Sequence, residues 1–424
     1  MAGAIQAVAS HPDIRAVRSP GGIEAWQVES DFVPLVALAF CFEGGATQDP
    51  PRKAGTAQLL SRLLDEGAGS LRSDAFQERL ADRAIELTFT AGPDAIGGSL
   101  KTLVAHADEA FGLLRLALAE PRFDEDAVER VRAQTLASLR YQQNDPGTVA
   151  SKRFLAEAFP GHAYGLPAAG TPESVAAITR QDIVDLHRRL VATGRLKVAV
   201  VGAMARDELS RRLDATFGGL GGQFALNAVA PALLTGRGRR VVVDLDVPQS
   251  VIRFGYAGAS LRDPDFIPTY VLNHMLGGGA FTSRLFQEVR ERRGLAYSVG
   301  TSIVSYRHAA MTWGYTATKN ERVGECLDVI ASEIRRMRDE GPTDDELAKA
   351  KDYLTGSYAL GFDTSTKIAH QLVQIAFEEL GIDYIRRRNA LVAAVGQTEI
   401  REAAERSLGD GSMLVVIAGR PTGL

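Results

Sequence analysis

Pro34-Leu35-Val36-Ala37-Leu38-Ala39-Phe40, followed by Gly44-Gly45-Ala46, has a counterpart in Pro248-Gln249-Ser250-Val251-Ile252-Arg253-Phe254, followed by Ala257-Gly258-Ala259. Two more landmarks repeat in the same order. Phe76-Gln77-Glu78 follows Asp65-Glu66-Gly67-Ala68-Gly69, and Phe286-Gln287-Glu288 follows Gly277-Gly278-Gly279-Ala280. Each half then closes on a β-branched run, Lys197-Val198-Ala199-Val200-Val201-Gly202 and Leu414-Val415-Val416-Ile417-Ala418-Gly419. The offsets, 214, 210 and 217 residues, are nearly constant. A period that long points to duplicated domains, not to a solenoid.

The chain has 424 residues, too many for one ordinary core. With 45% hydrophobic and 24% charged residues it reads as globular. A net charge of −4 leaves no footprint for nucleic acid. No apolar run is long enough to span a bilayer; the longest, Val33 to Phe42, fits a buried strand. The first residues show neither a charged n-region nor a long apolar h-region, so no signal peptide is expected. A soluble protein, cytoplasmic or periplasmic, is the expectation. Cys41 and Cys326 lie in different halves and read as two buried small hydrophobes, not a bridge.

Each half reads strand, helix, two strands, long helices, final strand. Helices are expected over Ala107 to Leu118, Asp124 to Gln143, Glu321 to Asp339 and Thr343 to Leu360. Thr343-Asp344-Asp345-Glu346 has the spacing of a capping box. Strands and helices mix without strict βαβ alternation, so the fold class is α+β with largely antiparallel sheets. The domains are expected at 16–220 and 239–424, joined by a linker at 221–238 within the Gly-rich stretch Gly218 to Gly238.

Two segments carry the chemistry. Gly55-Thr56-Ala57-Gln58-Leu59-Leu60-Ser61-Arg62-Leu63-Leu64-Asp65-Glu66-Gly67 has the shape of an H-x-x-E-H helix, in which two histidines bind zinc and a glutamate activates water. Here those positions hold Gln58, Ser61 and Arg62. None is a usual zinc ligand, and a guanidinium repels the metal. The seven histidines, His11, His106, His162, His187, His274, His308 and His370, show no ligand spacing. No G-x-S-x-G and no Cys beside a base is present.

The second segment runs from Gly277 to Val299. Thr282 to Arg293 is expected as an amphipathic helix with Leu285, Phe286 and Val289 on its apolar side, ended by Gly294. A strand is expected from Ala296 to Ile303. The turn between them can bring Arg290 and Tyr297 to one region. A Tyr hydroxyl can donate to a developing oxyanion, and an Arg fork can bind a carbonyl or carboxylate. Gly277, Gly278 and Gly279 read either as a place where a peptide backbone approaches closely or as a plain loop before the helix.

Through Gly277 to Val299, the Phe159-Pro160-Gly161-His162-Ala163-Tyr164-Gly165 turn and the degenerate helix, the chain resembles the pitrilysin-type (inverzincin) metallopeptidases. That class includes mitochondrial processing peptidase and bacterial two-subunit peptidases. The resemblance runs from about Ala16 to Gly419. It implies a clam-shell chamber of which this chain is half, with an Arg/Tyr pair facing a zinc site. The pair matches Arg290 and Tyr297. In the family a third ligand, a carboxylate, follows the second histidine after roughly 75 residues. Counting on from Arg62 reaches Ser138, so all four chemical positions, Gln58, Ser61, Arg62 and Ser138, depart together. The resemblance therefore implies no metal in this chain, zinc in a homologous partner subunit, and peptides or unfolded segments as substrates. The alternative is a catalytically silent scaffold or peptide-binding subunit, since core proteins of respiratory complexes share the fold.

Overall fold

In the computed structural model, alternating apolar residues pair into two mixed sheets that helices cover. The structure describes residues 12–222 and 226–424; His11 and linker residues 223–225 lie outside the described residues. The first sheet uses β1 (Arg15–Arg18), β2 (Glu24–Glu29), β3 (Leu35–Glu43), β4 (Glu86–Ala91), β5 (Ala95–Leu103) and β6 (Leu196–Gly202), in the order β1-β2-β6-β3-β5-β4. The second uses β7 (Arg240–Val243), β8 (Gln249–Ala257), β9 (Val299–Ser305), β10 (Ala310–Lys319) and β11 (Leu414–Ala418), in the order β9-β10-β8-β11-β7. Apart from the edge strand β1, the two orders are the same. In each sheet the closing β-branched strand pairs parallel with the opening strand, β6 with β2 and β11 with β7. All other pairs are antiparallel.

The expected long run begins later than read. β3 starts at Leu35, and Val33 is exposed. Pro34 precedes the strand and has no N–H to give a ladder. The helices used below are α1 (Thr56–Leu63), α2 (Ala107–Ala119), α3 (Glu125–Gln142), α4 (Pro146–Ala158), α5 (Phe266–Asn273), α6 (Val323–Glu340), α7 (Asp344–Tyr358) and α8 (Ser365–Phe377). Helices α2, α3, α6 and α7 fall within two residues of expectation at every end. The capping box forms as read: Thr343 N–H donates to Glu346 Oε2 at 2.8 Å, and Glu346 N–H donates to Thr343 Oγ1 at 3.2 Å.

The chain forms two compact units that do not follow chain order. One comprises residues 12–139, 167–222 with 226–228, and 358–386; the other 140–166, 229–357 and 387–424. The cause is an exchange of helices. α4, from the first half of the sequence, packs on β8 and β11, while α8, from the second half, packs on β3 and β6. In the second unit the fully buried Phe154 of α4 lies against Gly255, where an added Cβ would sit 2.5 Å from the ring. In the first unit Leu372 and Ile375 of α8 join Ala39, Ala199 and Val201 in one apolar cluster. Residues 229–238 are tied to the second unit by Ala232 N–H to His308 C=O at 2.8 Å and Thr235 N–H to Ala158 C=O at 2.9 Å. Cys41 and Cys326 are free and buried, and burial pushes their thiols up to about 12 and about 11.

Candidate functional site

The Gly277–Gly279 segment is not a loose loop. α5 continues through a π-helical turn, His274–Gly278, which Gly279 closes. Wide turns of this kind re-aim side chains and recur at functional sites. The glycines are there for room. A Cβ on Gly277 would lie 2.5 Å from Thr301 Oγ1, and one on Gly278 2.7 Å from Asn273 Nδ2. Thr301 cannot easily yield, because its hydroxyl donates to Asn273 Oδ1 at 2.7 Å inside the core. Gly277→Ala is therefore expected to cost about 1–3 kcal/mol, the usual range for overpacking. Thermal unfolding checks it; an unchanged melting temperature would show that Thr301 moves freely.

The regular helix read over Thr282–Arg293 is also replaced. A 3-10 turn, Ala280–Thr282, precedes a π-helical segment, Phe286–Glu291. Ala280 reverses the chain at φ 44°, and the Gln287 side-chain amide holds the Phe281 carbonyl at 2.6 Å. The extra residue in the turn shows in Arg292 N–H, which donates to Gln287 C=O at 2.9 Å. The strand read from Ala296 starts at Val299. Threonine hydroxyls take the intervening carbonyls instead of a ladder: Thr318 Oγ1 donates to Leu295 C=O at 2.6 Å and Thr316 Oγ1 to Ser298 C=O at 2.9 Å. That irregular stretch buries Leu295 and Ala296 and leaves Tyr297 86% exposed.

Arg290 and Tyr297 do come together. The guanidinium carbon of Arg290 lies 5.4 Å from the Tyr297 ring centroid, 4.7 Å from Phe286 and 5.9 Å from Phe281. Phe281 and Phe286 meet edge to face at 5.0 Å. Three aromatic rings thus orient one cation, whose ion pair is with the neighbouring Glu291 at 3.2 Å. Phe281, 68% exposed, was not singled out from sequence; the signal was a large aromatic residue just after a run of glycines.

Buried charges pin this segment. Arg284 donates through Nε and Nη2 to the two carboxylate oxygens of Glu346, both at 2.8 Å, and through Nη2 to Gly341 C=O at 2.8 Å. The Arg284 hydrogen bond overcomes burial and holds the Glu346 carboxyl down to about 2. Glu288 is buried, which pushes its carboxyl up. Its contacts with Arg293 and Arg292 outweigh that and leave it below the usual range. Beside them a cleft of about 470 Å³ is lined by His274, Met275, Gln287, Lys349 and Tyr353. His274 stacks on Tyr353 at 5.1 Å, and burial lowers its pKa.

The other candidate positions lie in the first unit. On α1, Ser61 is buried and its hydroxyl donates to the Gln58 carbonyl of its own helix at 3.0 Å. Arg62 donates to Thr135 Oγ1 of α3 at 3.2 Å. Ser138, reached by counting, is exposed one turn further along α3. An amide, a hydroxyl spent on its own helix and a guanidinium offer no donor set for zinc. Among the described residues, no three His, Cys, Asp or Glu side chains converge to hold a metal ion. No described helix is long and apolar enough to cross a membrane.

A family model described as Insulinase (Peptidase family M16) matches residues 27–172, and one described as Peptidase M16 inactive domain matches residues 177–354. The chain belongs to peptidase family M16. Among curated relatives, it is 27% identical to a non-peptidase homolog, YmxG, of Helicobacter pylori, over 84% of this chain and 81% of that one. It is also 27% identical to an uncharacterized zinc protease of Streptomyces coelicolor, over 95% of this chain and 89% of that one. Among solved structures, a peptidase M16 inactive domain from Pseudomonas fluorescens superposes with a TM-score of 0.89 at 24% identity, covering 97% of this chain and 98% of that one. M16 membership accounts for the α+β sheets packed against helices.

Proposed function

We propose that this M16 chain is the non-metal subunit of a heterodimeric zinc metallopeptidase acting on peptides or unfolded segments. The observation that carries the reading is the ring-framed Arg290 beside an 86% exposed Tyr297, in a chain whose α1 offers no zinc donors. A tyrosine packed only for structure would bury its ring; this one faces solvent with its hydroxyl free to donate to a substrate oxyanion. Arg290 binds the substrate carbonyl or carboxylate. Gly277, Gly278 and Gly279 shape the wall beside them. A zinc-bearing homologue supplies the metal and the general base. In this reading 16–220 and 239–424 are duplicated domains joined by 221–238, together forming one half of a clam-shell chamber. The shared strand order of the two sheets supports the duplication.

The name of the Helicobacter pylori relative supports a second reading, a catalytically silent scaffold or peptide-binding subunit. One experiment separates them. Alone, the purified chain is expected to retain no stoichiometric zinc after dialysis and to cleave no unfolded peptide. Mixed with a zinc-motif homologue, it is expected to form a complex that cleaves. One zinc per isolated chain, or an inert complex, overturns the peptidase reading.

A further inference from the structure

The second unit holds a cation that the Arg290/Tyr297 pair does not use. Arg253 lies mid-strand in β8, opposite Tyr315 of β10, which in turn lies opposite Gly300 of β9. Side chains of directly opposed residues share a face, and residues two apart on a strand do too, so Trp313 joins them. The Arg253 guanidinium carbon is 5.0 Å from the Trp313 ring centroid and 5.9 Å from that of Tyr315. Its Nε donates to Ser151 Oγ of α4 at 2.9 Å. Neither Nη atom has a hydrogen-bond or ion-pair partner among the described residues. The carboxylate that acts on Arg253 electrostatically, Asp145, caps α4 by accepting from Thr148 N–H at 2.7 Å. Burial lowers the Arg253 pKa, while Tyr315 and Asp145 act against that.

A half-buried guanidinium without an ion-pair partner carries a desolvation cost that Tyr315 and Asp145 offset only in part. Its stacking faces meet rings, and Nε is engaged. What remains open is the Nη edge, the edge that matches a planar carboxylate with two parallel hydrogen bonds. The rings and Ser151 fix that edge in place before any ligand arrives.

We propose that Arg253, framed by Trp313, Tyr315 and Ser151, is a carboxylate-binding subsite that takes an acidic side chain of an extended peptide. The peptide as carrier rests on the function proposed above; the carboxylate site does not. Placement supports the carrier. Arg253 is two strands from β9, about 10 Å at ordinary strand spacing. β9 begins two residues after Tyr297. A peptide engaged at Tyr297 and passing over the edge strand β9 can bring a side chain to Arg253.

The chain has two tryptophans, so Trp26→Phe leaves Trp313 as the sole reporter. The isolated full chain is titrated with three peptides: one blocked at both ends with a single Asp or Glu, its Asn or Gln counterpart, and a neutral one with a free C-terminal carboxylate. The acidic side chain is expected to change Trp313 emission and to bind about tenfold more tightly than its amide, a difference of about 1.4 kcal/mol. Arg253→Gln removes that preference, and Arg253→Lys keeps part of it. A response confined to the free C-terminus overturns the side-chain assignment. Equal binding of acid and amide by the unmutated chain, no response to any peptide, or a preference surviving Arg253→Gln overturns the subsite. The readout needs neither partner nor cleavage. If the chain is a silent scaffold, the mixture with the zinc homologue stays inert while the Trp313 response stands. If Arg253 only packs, the response is absent whether or not the mixture cleaves.

Discussion

In complex with a zinc-bearing homologue, Tyr297→Phe is expected to lower kcat by roughly 100- to 1000-fold, the scale of losing one oxyanion donor. The change removes a hydroxyl and little else. The ring is 86% exposed, so no packing is lost, and phenylalanine still presents a face to Arg290. KM and the melting temperature should therefore stay near wild type. Arg290→Ala should differ. Its guanidinium contacts Phe286, Phe281 and Tyr297, so its removal loosens the rings around it and, in the proposed role, takes away a ground-state contact to substrate. KM should rise more than kcat falls. Steady-state kinetics on a peptide, with zinc content measured in each complex, tests both. Wild-type cleavage by the two variants, in a complex that retains its metal, would make the pair structural.

How much of this was legible in the sequence follows from the range of the interactions. Strand periodicity is local, and it marked an α+β chain; the strand order that the two sheets share arises from pairing between distant segments. The capping box is local too, and it formed at Thr343 and Glu346. Arg290 and Tyr297 are separated by one turn, so their meeting needed only Gly294 and a chain reversal. The π-helical turns were invisible because their causes are distant. Gly277 is small on account of Thr301, and Arg284 is held by Glu346. No helical wheel contains those partners. The exchange of α4 and α8 is a tertiary event as well. Phe154 and Leu372 each make their contacts in the unit built mainly from the other half of the chain. The Arg253 cluster joins strands β8 and β10 to α4, three separate stretches of chain, and nothing in any one of them flags it.

Glu346→Gln is expected to destabilise the protein by about 3 kcal/mol, the lower end for breaking a buried ion pair, because Glu346 itself remains a third exposed. Arg284 is only 8% exposed, and its Nη1 already lacks a hydrogen-bond partner among the described residues. Neutralising Glu346 takes from that buried cation the carboxylate it is hydrogen-bonded to, which costs more than the pair contributes when intact. The pH dependence has a definite sign. The Glu346 carboxyl is held to about 2 by the Arg284 hydrogen bond, against burial and with help from Thr343. The unfolded value is about 4.3. A carboxyl lowered on folding stabilises the native state above its unfolded pKa, and that contribution is lost as pH falls through the folded one. The gap between wild type and Glu346→Gln should thus be constant from about pH 5 to 7 and close between about pH 4 and pH 2. Urea unfolding at several pH values measures it; equal midpoints at pH 7 would refute the argument. Replacing both partners by apolar residues, Arg284→Met with Glu346→Leu, should recover much of the lost stability, since a well-packed apolar pair avoids desolvating two charges. It should not recover activity in the complex. Arg284 leads directly into the Phe286–Glu291 segment, and its two-point hold on α7 is one of the contacts that set the turn aiming Arg290 at Tyr297.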